Sequence, residues 1–251
     1  MSKVKSYAAL QADKPLHPHD INRRDINPDD VNIDILYCGV CHSDIHMARN
    51  EWNNTSIYPM VPGHEIIGIV KEVGSTVTKF KVGDNVGVGV YVDACEKCAN
   101  CNSGKDHYCE EGIVLTYNSY EYGTKNITYG GYSKSIVVKE NYVIKVPSEM
   151  DMKKAAPLLC AGITTYSPLR HFKINSNHKV GIAGLGGLGH MGLKFASSFG
   201  ADVVVFSTSD SKKDEAFEMG ANHFVNVNNS KDVRKHMNSC DYILDTVSAN
   251  R

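Results

Sequence analysis

KVGIAGLGGLG, Lys179 to Gly189, is the stretch whose reading decides how the second half of the chain folds. KVGIA is a short apolar run without polar alternation, the pattern of a strand buried on both faces. The glycine-rich turn Gly184 to Gly189 follows at once, and a helical pattern starts behind it. Gly184, Gly186, Gly187 and Gly189, with Leu188 between the last two, form a loop whose backbone can approach a pyrophosphate. The first turn of the helix behind it offers unpaired N–H groups and partial positive charge. A glycine-rich turn alone is common. Its position between strand and helix is what points to a dinucleotide.

Working outward from this turn, Leu188, Met191, Phe195 and Phe199 share one helical face, and Gly200 is placed to cap it. Val203 to Phe206 reads as a second buried strand, and another helix ends at Gly220. HFVN supplies a third strand, and Cys240 to Val247 a fourth. Apolar strands alternating with helices imply a parallel sheet covered on both faces. The second strand ends in Ser207-Thr208-Ser209-Asp210-Ser211-Lys212-Lys213. A serine stands at the strand end, where an acidic residue would hold an NAD ribose. The hydroxyls and Lys212 suit a 2′-phosphate, so the run favours NADP(H). Asp210 is the discordant residue.

Upstream, Met150 to Leu169 is rich in Ala and Leu and reads as helix. Pro157 suits a first turn, Pro168 argues for a break, and Cys160 lies inside the run. The first third is β-like. Val31, Ile33 and Ile35 alternate with polar residues, the strand continues to Cys38, and the chain turns at Gly39. CHSDIH (Cys41 to His46) follows, then PGHEIIGIVKEVG (Pro62 to Gly74), FKVGDNVGV (Phe80 to Val88) and GGYSKSIVVKENYVIKVP, ending at Pro147. Many short strands separated by Gly, Pro, Asn and Asp suggest a barrel or sandwich-like domain.

Cys95, Cys98, Cys101 and Cys109 fall at spacings x2, x2 and x7. Four thiolates so close can enclose one zinc ion tetrahedrally, and the spacing favours a structural zinc site. A ferredoxin-type cluster competes, but that run closes with x3 and a proline, and here Glu110 follows Cys109. A disulfide pair and chance clustering of buried cysteines compete as well. The 251 residues carry 22% charged side chains and a formal net charge of -1, which makes no electrostatic case for nucleic acid or an anionic membrane. The N-terminal residues lack the apolar core of a signal peptide, and no stretch is long enough to span a bilayer. Eight cysteines without a sign of secretion suggest a reducing cytoplasm and metal.

The blocks GVCHSDIH (Gly39 to His46), PGHE (Pro62 to Glu65), the four-cysteine lobe, PLLCAGITTY (Pro157 to Tyr166), GLGGLG and STSDSKK occur in one order along nearly the whole chain. Together they resemble the zinc-dependent medium-chain alcohol dehydrogenases, most closely the cinnamyl-alcohol-dehydrogenase branch. The resemblance implies an α/β plus β protein. Residues 1–153 would form a GroES-like domain with a zinc lobe at about 91–113, and 154–251 the N-terminal part of a doubly wound Rossmann domain, with the active site in the cleft between them. It implies that Cys41, His64 and Cys160 hold a catalytic zinc that Glu65 approaches when water leaves. Asp44 would orient the histidine, Ser43 would take the alcohol proton, and His46 would pass it to solvent. Thr164 would lie near the nicotinamide. Two Zn2+ per chain and NADP(H) follow, with primary alcohols and aldehydes as small-molecule substrates. Cys38 and Cys240 fit no motif and read as packing residues.

About four of about six Rossmann strands are found before the chain stops at VSANR, so the resemblance implies that a C-terminal part is absent. A homodimer is implied for a full-length form. A zinc-stabilised dinucleotide-binding protein without turnover is the reading from another class. It shares the lobe and the glycine loop but leaves Cys41, His64, Cys160, Ser43 and His46 unexplained. The same ligands disfavour a zinc-free quinone-reductase-like relative.

Overall fold

The structure, a computed structural model, describes residues 1–247, and the last residues of VSANR, 248–251, lie outside the described residues. The chain divides into two compact units, Met1–Cys160 and the residues from Ala161 onward. In the first unit, β1 (Ser2–Ala8) and β2 (His17–Arg23) form an antiparallel ribbon. β3 (Asp30–Cys38), helix α1 (His42–Ala48), β4 (Ile66–Val73) and β5 (Asn85–Val88) follow. Then come β6 (Tyr91–Asp93), the short helix α2 (Ala99–Asn102) and β7 (Val114–Leu115). β8 (Ser135–Lys139), β9 (Val143–Lys145) and α3 (Met152–Ala155) complete the unit. The main sheet is antiparallel, in the order β8-β3-β4-β5-β9.

The period of two read in β3 is the cause of this sheet. Val31 and Ile33 are fully buried with Ile66, Val70, Val86, Val88, Ile136 and Val138. Each such aliphatic side chain stabilises the fold by about 1.5–3 kcal/mol. Asp30, buried at the start of β3, is closed by the Arg24 guanidinium and by the Asn27 N–H at 2.7 Å. The register then positions the site. Cys38, the last residue of β3, lies opposite Ile66, the first of β4, and the Gly39 N–H extends the ladder to the Glu65 carbonyl at 2.9 Å. Cys41 lies just past the end of one strand and His64-Glu65 just before the start of its neighbour, so they come together although far apart in sequence.

The expected helix from Met150 to Leu169 is interrupted, and not at Pro168. After α3 the chain takes a 3-10 turn over Ala156–Leu159 with Pro157 in its first turn, and Cys160 adopts φ -130°, ψ -74°. Ala155, Ala156 and Leu159 pack with Ile67, so residues 154–160, read from sequence as part of the second domain, fold with the first unit. Helix α4 (Ala161–His171) then runs through Pro168. Leu169 and Thr165 are buried, and Thr165 lies against Gly192 of the next helix. That packing outweighs the hydrogen bond a proline forfeits.

The second unit continues with β10 (Lys179–Ala183), α5 (Gly187–Ser198), β11 (Asp202–Ser207) and α6 (Lys213–Glu218). β12 (His223–Asn226), α7 (Ser230–Lys235) and β13 (Tyr242–Asp245) follow. The four strands are parallel in the order β12-β11-β10-β13, as the alternating pattern implies. Gly200, at φ +81°, ends α5 as expected. The buried face of α5 differs from the expected one. Gly189, Gly192, Leu193 and Ala196 are buried, while Leu188, Met191, Phe195 and Phe199 are only half-buried. Small residues let the helix approach β10 and β13 closely: a Cβ on Gly192 would lie 2.6 Å from Leu244 Cδ2. Phe195 instead meets Tyr166 of α4 edge to face, and Phe199 packs against the same ring at a tilt. Among the described residues, no helix is long and apolar enough to cross a membrane.

Candidate active site

In the first unit, Cys41, His64, Glu65 and Cys160 bring one sulfur, nitrogen or oxygen atom each to within 4.8 Å of one another. Cys41 is the N-cap of α1, and the 3-10 turn brings Cys160 in so that the two Sγ atoms are 3.8 Å apart. His64 and Glu65 are each 3% exposed. Gly39 makes room for the glutamate, since a Cβ there would lie 1.8 Å from Glu65 Oε2.

Asp44 ties these pieces together. Its buried carboxylate accepts from the Cys41 N–H (3.0 Å), the Gly63 N–H (2.9 Å), His64 Nδ1 (3.0 Å) and the Tyr132 hydroxyl (3.1 Å). Bonded through Nδ1, His64 keeps Nε2 for another partner. Burial is the largest influence and opposes charge on both groups, but the hydrogen bond and charge of His64, with the Cys41 and Gly63 N–H groups, together outweigh it and hold the Asp44 carboxyl below the usual carboxylate range. Asp44 and then Cys41 likewise overcome burial to push His64 up to about 10. The hydrogen bond between the two thiols draws Cys41 down and pushes Cys160 up. Two sulfurs, an imidazole nitrogen and a carboxylate at this spacing fit a zinc ion.

Ser43 Oγ lies 3.5 Å from Cys41 Sγ. His46, one turn along α1, stacks between His42 and Trp52, and its Nδ1 meets Glu51. Among the described residues no hydrogen bond links Ser43 to His46. Tyr132, Glu51 and Gly39 carry roles that the sequence does not announce. Tyr132 sits in a glycine-rich stretch and Glu51 in a polar one, so neither has a local signal. Cys38 is packed beside Gly63 and Gly131, and burial pushes its thiol up to about 12. Cys240 lies beside Gly181. Both are packing residues in the structure, as expected.

The four lobe cysteines also bring their sulfurs within 4.8 Å. The Cys95 N–H points at Cys109 Sγ (3.4 Å), Cys98 N–H at Cys95 Sγ (3.4 Å) and Cys101 N–H at Cys98 Sγ (3.5 Å). Such donors stabilise thiolates, and all eight cysteines are free of disulfides. The donor set fits a second, closed zinc site.

In the second unit Gly184 adopts φ +85°, and a Cβ on Gly189 would lie 2.1 Å from the Gly184 carbonyl oxygen. Gly186 and Gly187 face open space, and Gly186 caps α5 without a side-chain hydrogen bond. The loop is a cradle that leaves the first N–H groups of α5 for an anion. Lys212 reaches this loop, donating from Nζ to the Leu185 carbonyl at 2.8 Å. Ser209 Oγ accepts from the Ser211 N–H at 3.2 Å, Ser207 is buried, and Thr208 is exposed. Thr164 lies on the exposed side of α4.

Two family profiles match the chain: the alcohol dehydrogenase GroES-like domain over residues 27–148 and the zinc-binding dehydrogenase over 187–251. Aldehyde reductase YahK of Escherichia coli is 50% identical over 248 residues, 98% of this chain and 70% of that protein. The chain belongs to the zinc-binding alcohol dehydrogenase family. NADP-dependent alcohol dehydrogenase C 1 of Mycolicibacterium smegmatis is 51% identical, over 100% of this alcohol dehydrogenase chain and 71% of the relative. Among solved structures, the cinnamyl alcohol dehydrogenase SbCAD4 of Sorghum bicolor superposes with TM-score 0.96 at 42% identity, covering 100% of this chain and 71% of that one. The cinnamyl alcohol dehydrogenase of Helicobacter pylori complexed with NADP(H) gives TM-score 0.92 at 46% identity, covering 99% and 70%. The resemblance carried by the motifs, and the GroES-like plus Rossmann architecture it implies, are borne out.

Proposed function

We propose that this alcohol dehydrogenase transfers hydride between primary alcohols or aldehydes and NADP(H), at a zinc held by Cys41, His64 and Cys160. The observation that carries the reading is the buried Cys41–His64–Glu65–Cys160 set beside Ser43. Three protein ligands leave one position for a substrate oxygen, and Glu65 stands by as a further donor. Zinc bound there supplies Lewis acidity toward that oxygen, and NADPH supplies the hydride.

The chain's own residues do the rest. Asp44 fixes the His64 ring so that Nε2 faces the site. Ser43 holds the proton of the substrate oxygen, and His46, on the same face of α1, passes it outward. Glu51 and Trp52 fix the orientation of the His46 ring. The glycine loop and the N-terminus of α5 bind the pyrophosphate, and Lys212 with the Ser207–Ser209 run receives the 2′-phosphate. Thr164 contacts the nicotinamide. The lobe cysteines hold a second zinc that contributes stability and no chemistry. Free thiols throughout suit the reducing cytoplasm.

The test is a zinc-replete preparation assayed for NADPH oxidation over a panel of aliphatic and aromatic aldehydes, with NADPH binding followed separately by fluorescence. Turnover that is lost in Cys160→Ser supports the reading. A chain that binds NADPH and zinc yet reduces none of the aldehydes would make it a binding protein instead.

A further inference from the structure

The run after β11 contains one residue at odds with a phosphate. Asp210 stands among hydroxyls and lysines, and a carboxylate near a 2′-phosphate repels it. The structure shows where that charge is kept. In the sheet order β12-β11-β10, the end of β11 has two flanks. The β10 flank leads to the glycine loop, and Lys212 is anchored there on the Leu185 carbonyl. The β12 flank ends in Asn226, paired in register with Ser207. Asp210 is tied to that second flank: its Oδ2 accepts from Asn226 Nδ2 at 2.9 Å.

The orientation of the Asn226 amide is set by its other contact. Its Oδ1 accepts from the Asn228 N–H at 3.0 Å, which turns Nδ2 toward Asp210. The loop behind β12 is itself fastened to the run. The Val227 N–H donates to the Ser207 carbonyl and Asn228 Nδ2 to the Thr208 carbonyl, each at 2.9 Å. A cation is therefore drawn to one side of the β11 end and the carboxylate to the other.

We propose that Asn226 is a positioning residue for cofactor choice, which holds the Asp210 carboxylate on the β12 flank and away from the 2′-phosphate of NADP(H). The inference rests on the NADP(H) reading above. It adds that an acidic residue where an NAD-type ribose contact would be sought is kept out of use by a neighbouring amide. A freed Asp210 would repel the 2′-phosphate and would be available to a ribose 2′-hydroxyl.

The experiment measures dissociation constants of NADPH and NADH by cofactor fluorescence on the zinc-loaded chain. In Asn226→Leu the NADPH-over-NADH preference should fall by about three- to tenfold, the effect of one charge at partly screened range, and fall less at high salt. Asn226→Ser, smaller and still polar, should shift it in the same direction and guards against misfolding of the leucine variant. Adding Asp210→Asn to Asn226→Leu should restore the preference. Asn228→Ala, which unfastens Thr208 but leaves the Asp210 contact, should not shift it. An unchanged preference in both Asn226 variants, equal weakening of both cofactors, or no recovery with Asp210→Asn would overturn the inference while leaving the NADP(H) reading intact. A wild-type chain without preference for NADPH would overturn that reading, and this inference with it.

Discussion

Replacing Asp44 tests whether one buried carboxylate assembles the ligand cluster. Four donors converge on it: two backbone N–H groups, the His64 ring and the Tyr132 hydroxyl. A buried donor left without an acceptor costs about 1–3 kcal/mol. In Asp44→Ala the Tyr132 hydroxyl can still turn to the Gly39 carbonyl, 3.4 Å away, so three donors are orphaned. The cost should be about 3–9 kcal/mol, a large share of the stability of an ordinary domain. Asp44→Asn keeps one accepting oxygen. Placed toward Gly63 and His64, it leaves the amide facing the Cys41 N–H and the Tyr132 hydroxyl, which can rotate to accept. One donor is then orphaned, and the cost should be about 1–3 kcal/mol. Asp44→Ala should lose about 10–100-fold in affinity for the metal at Cys41, His64 and Cys160, because the histidine is no longer oriented, and Asp44→Asn, whose oxygen still accepts from His64, should lose less. Urea unfolding of the zinc-loaded protein and chelator competition measure the two quantities. An alanine variant with wild-type unfolding midpoint and zinc retention would refute the idea that Asp44 organises the site.

Three further substitutions separate the remaining parts. Cys160→Ser should release one of two zinc ions and abolish turnover while the fold persists, whereas Cys101→Ser should release the other and lower the melting temperature; elemental analysis showing a single zinc, kept in Cys160→Ser, would contradict this. Gly39→Ala should displace the Glu65 carboxylate, since no methyl group fits 1.8 Å from Oε2, and destabilise the chain by about 1–3 kcal/mol; an unshifted thermal transition would show that the loop yields freely. Lys212→Ala should weaken NADPH by about 1.5–3 kcal/mol with little effect on NADH, and equal weakening of both would assign the lysine only to holding the glycine loop.

What could be read from sequence was what is local. The lobe cysteines lie within fifteen residues, and the glycine loop lies directly between its strand and its helix, so spacing alone presents both. The cluster of Cys41, His64 and Cys160 is not local. Its first two members meet because Cys38 and Ile66 fall opposite each other in a sheet register that no short window contains. Cys160 is presented by a break that the Ala- and Leu-rich run conceals, because those residues would continue a helix equally well. The face of α5 is hidden for a related reason. Periodicity weighs the large side chains, while contact with the sheet is made by Gly189, Gly192 and Ala196, whose value is that they occupy little space. Tyr132 is an acceptor's distant partner, and only the folded chain brings it to Asp44.

The lobe leaves the β6–β7 ribbon at Asp93 and rejoins it at Val114, and those two residues are partners across the ribbon. Its ends are therefore already neighbours, and residues 94–113 form an excursion that crosses no other strand of the main sheet. Lys139, bonded to Asp93 at the base and to Glu96 at the start of the excursion, secures it from outside. A lineage could lose all four cysteines together, close the ribbon with a short turn, and keep the Cys41 cluster in place, since none of the ligands of that cluster is threaded through the lobe. Loss of one cysteine alone would be the damaging path, leaving a long loop without its metal, held to the main-sheet core only through Ala94 and the remaining cysteines. Selection should therefore hold or discard the four as a set.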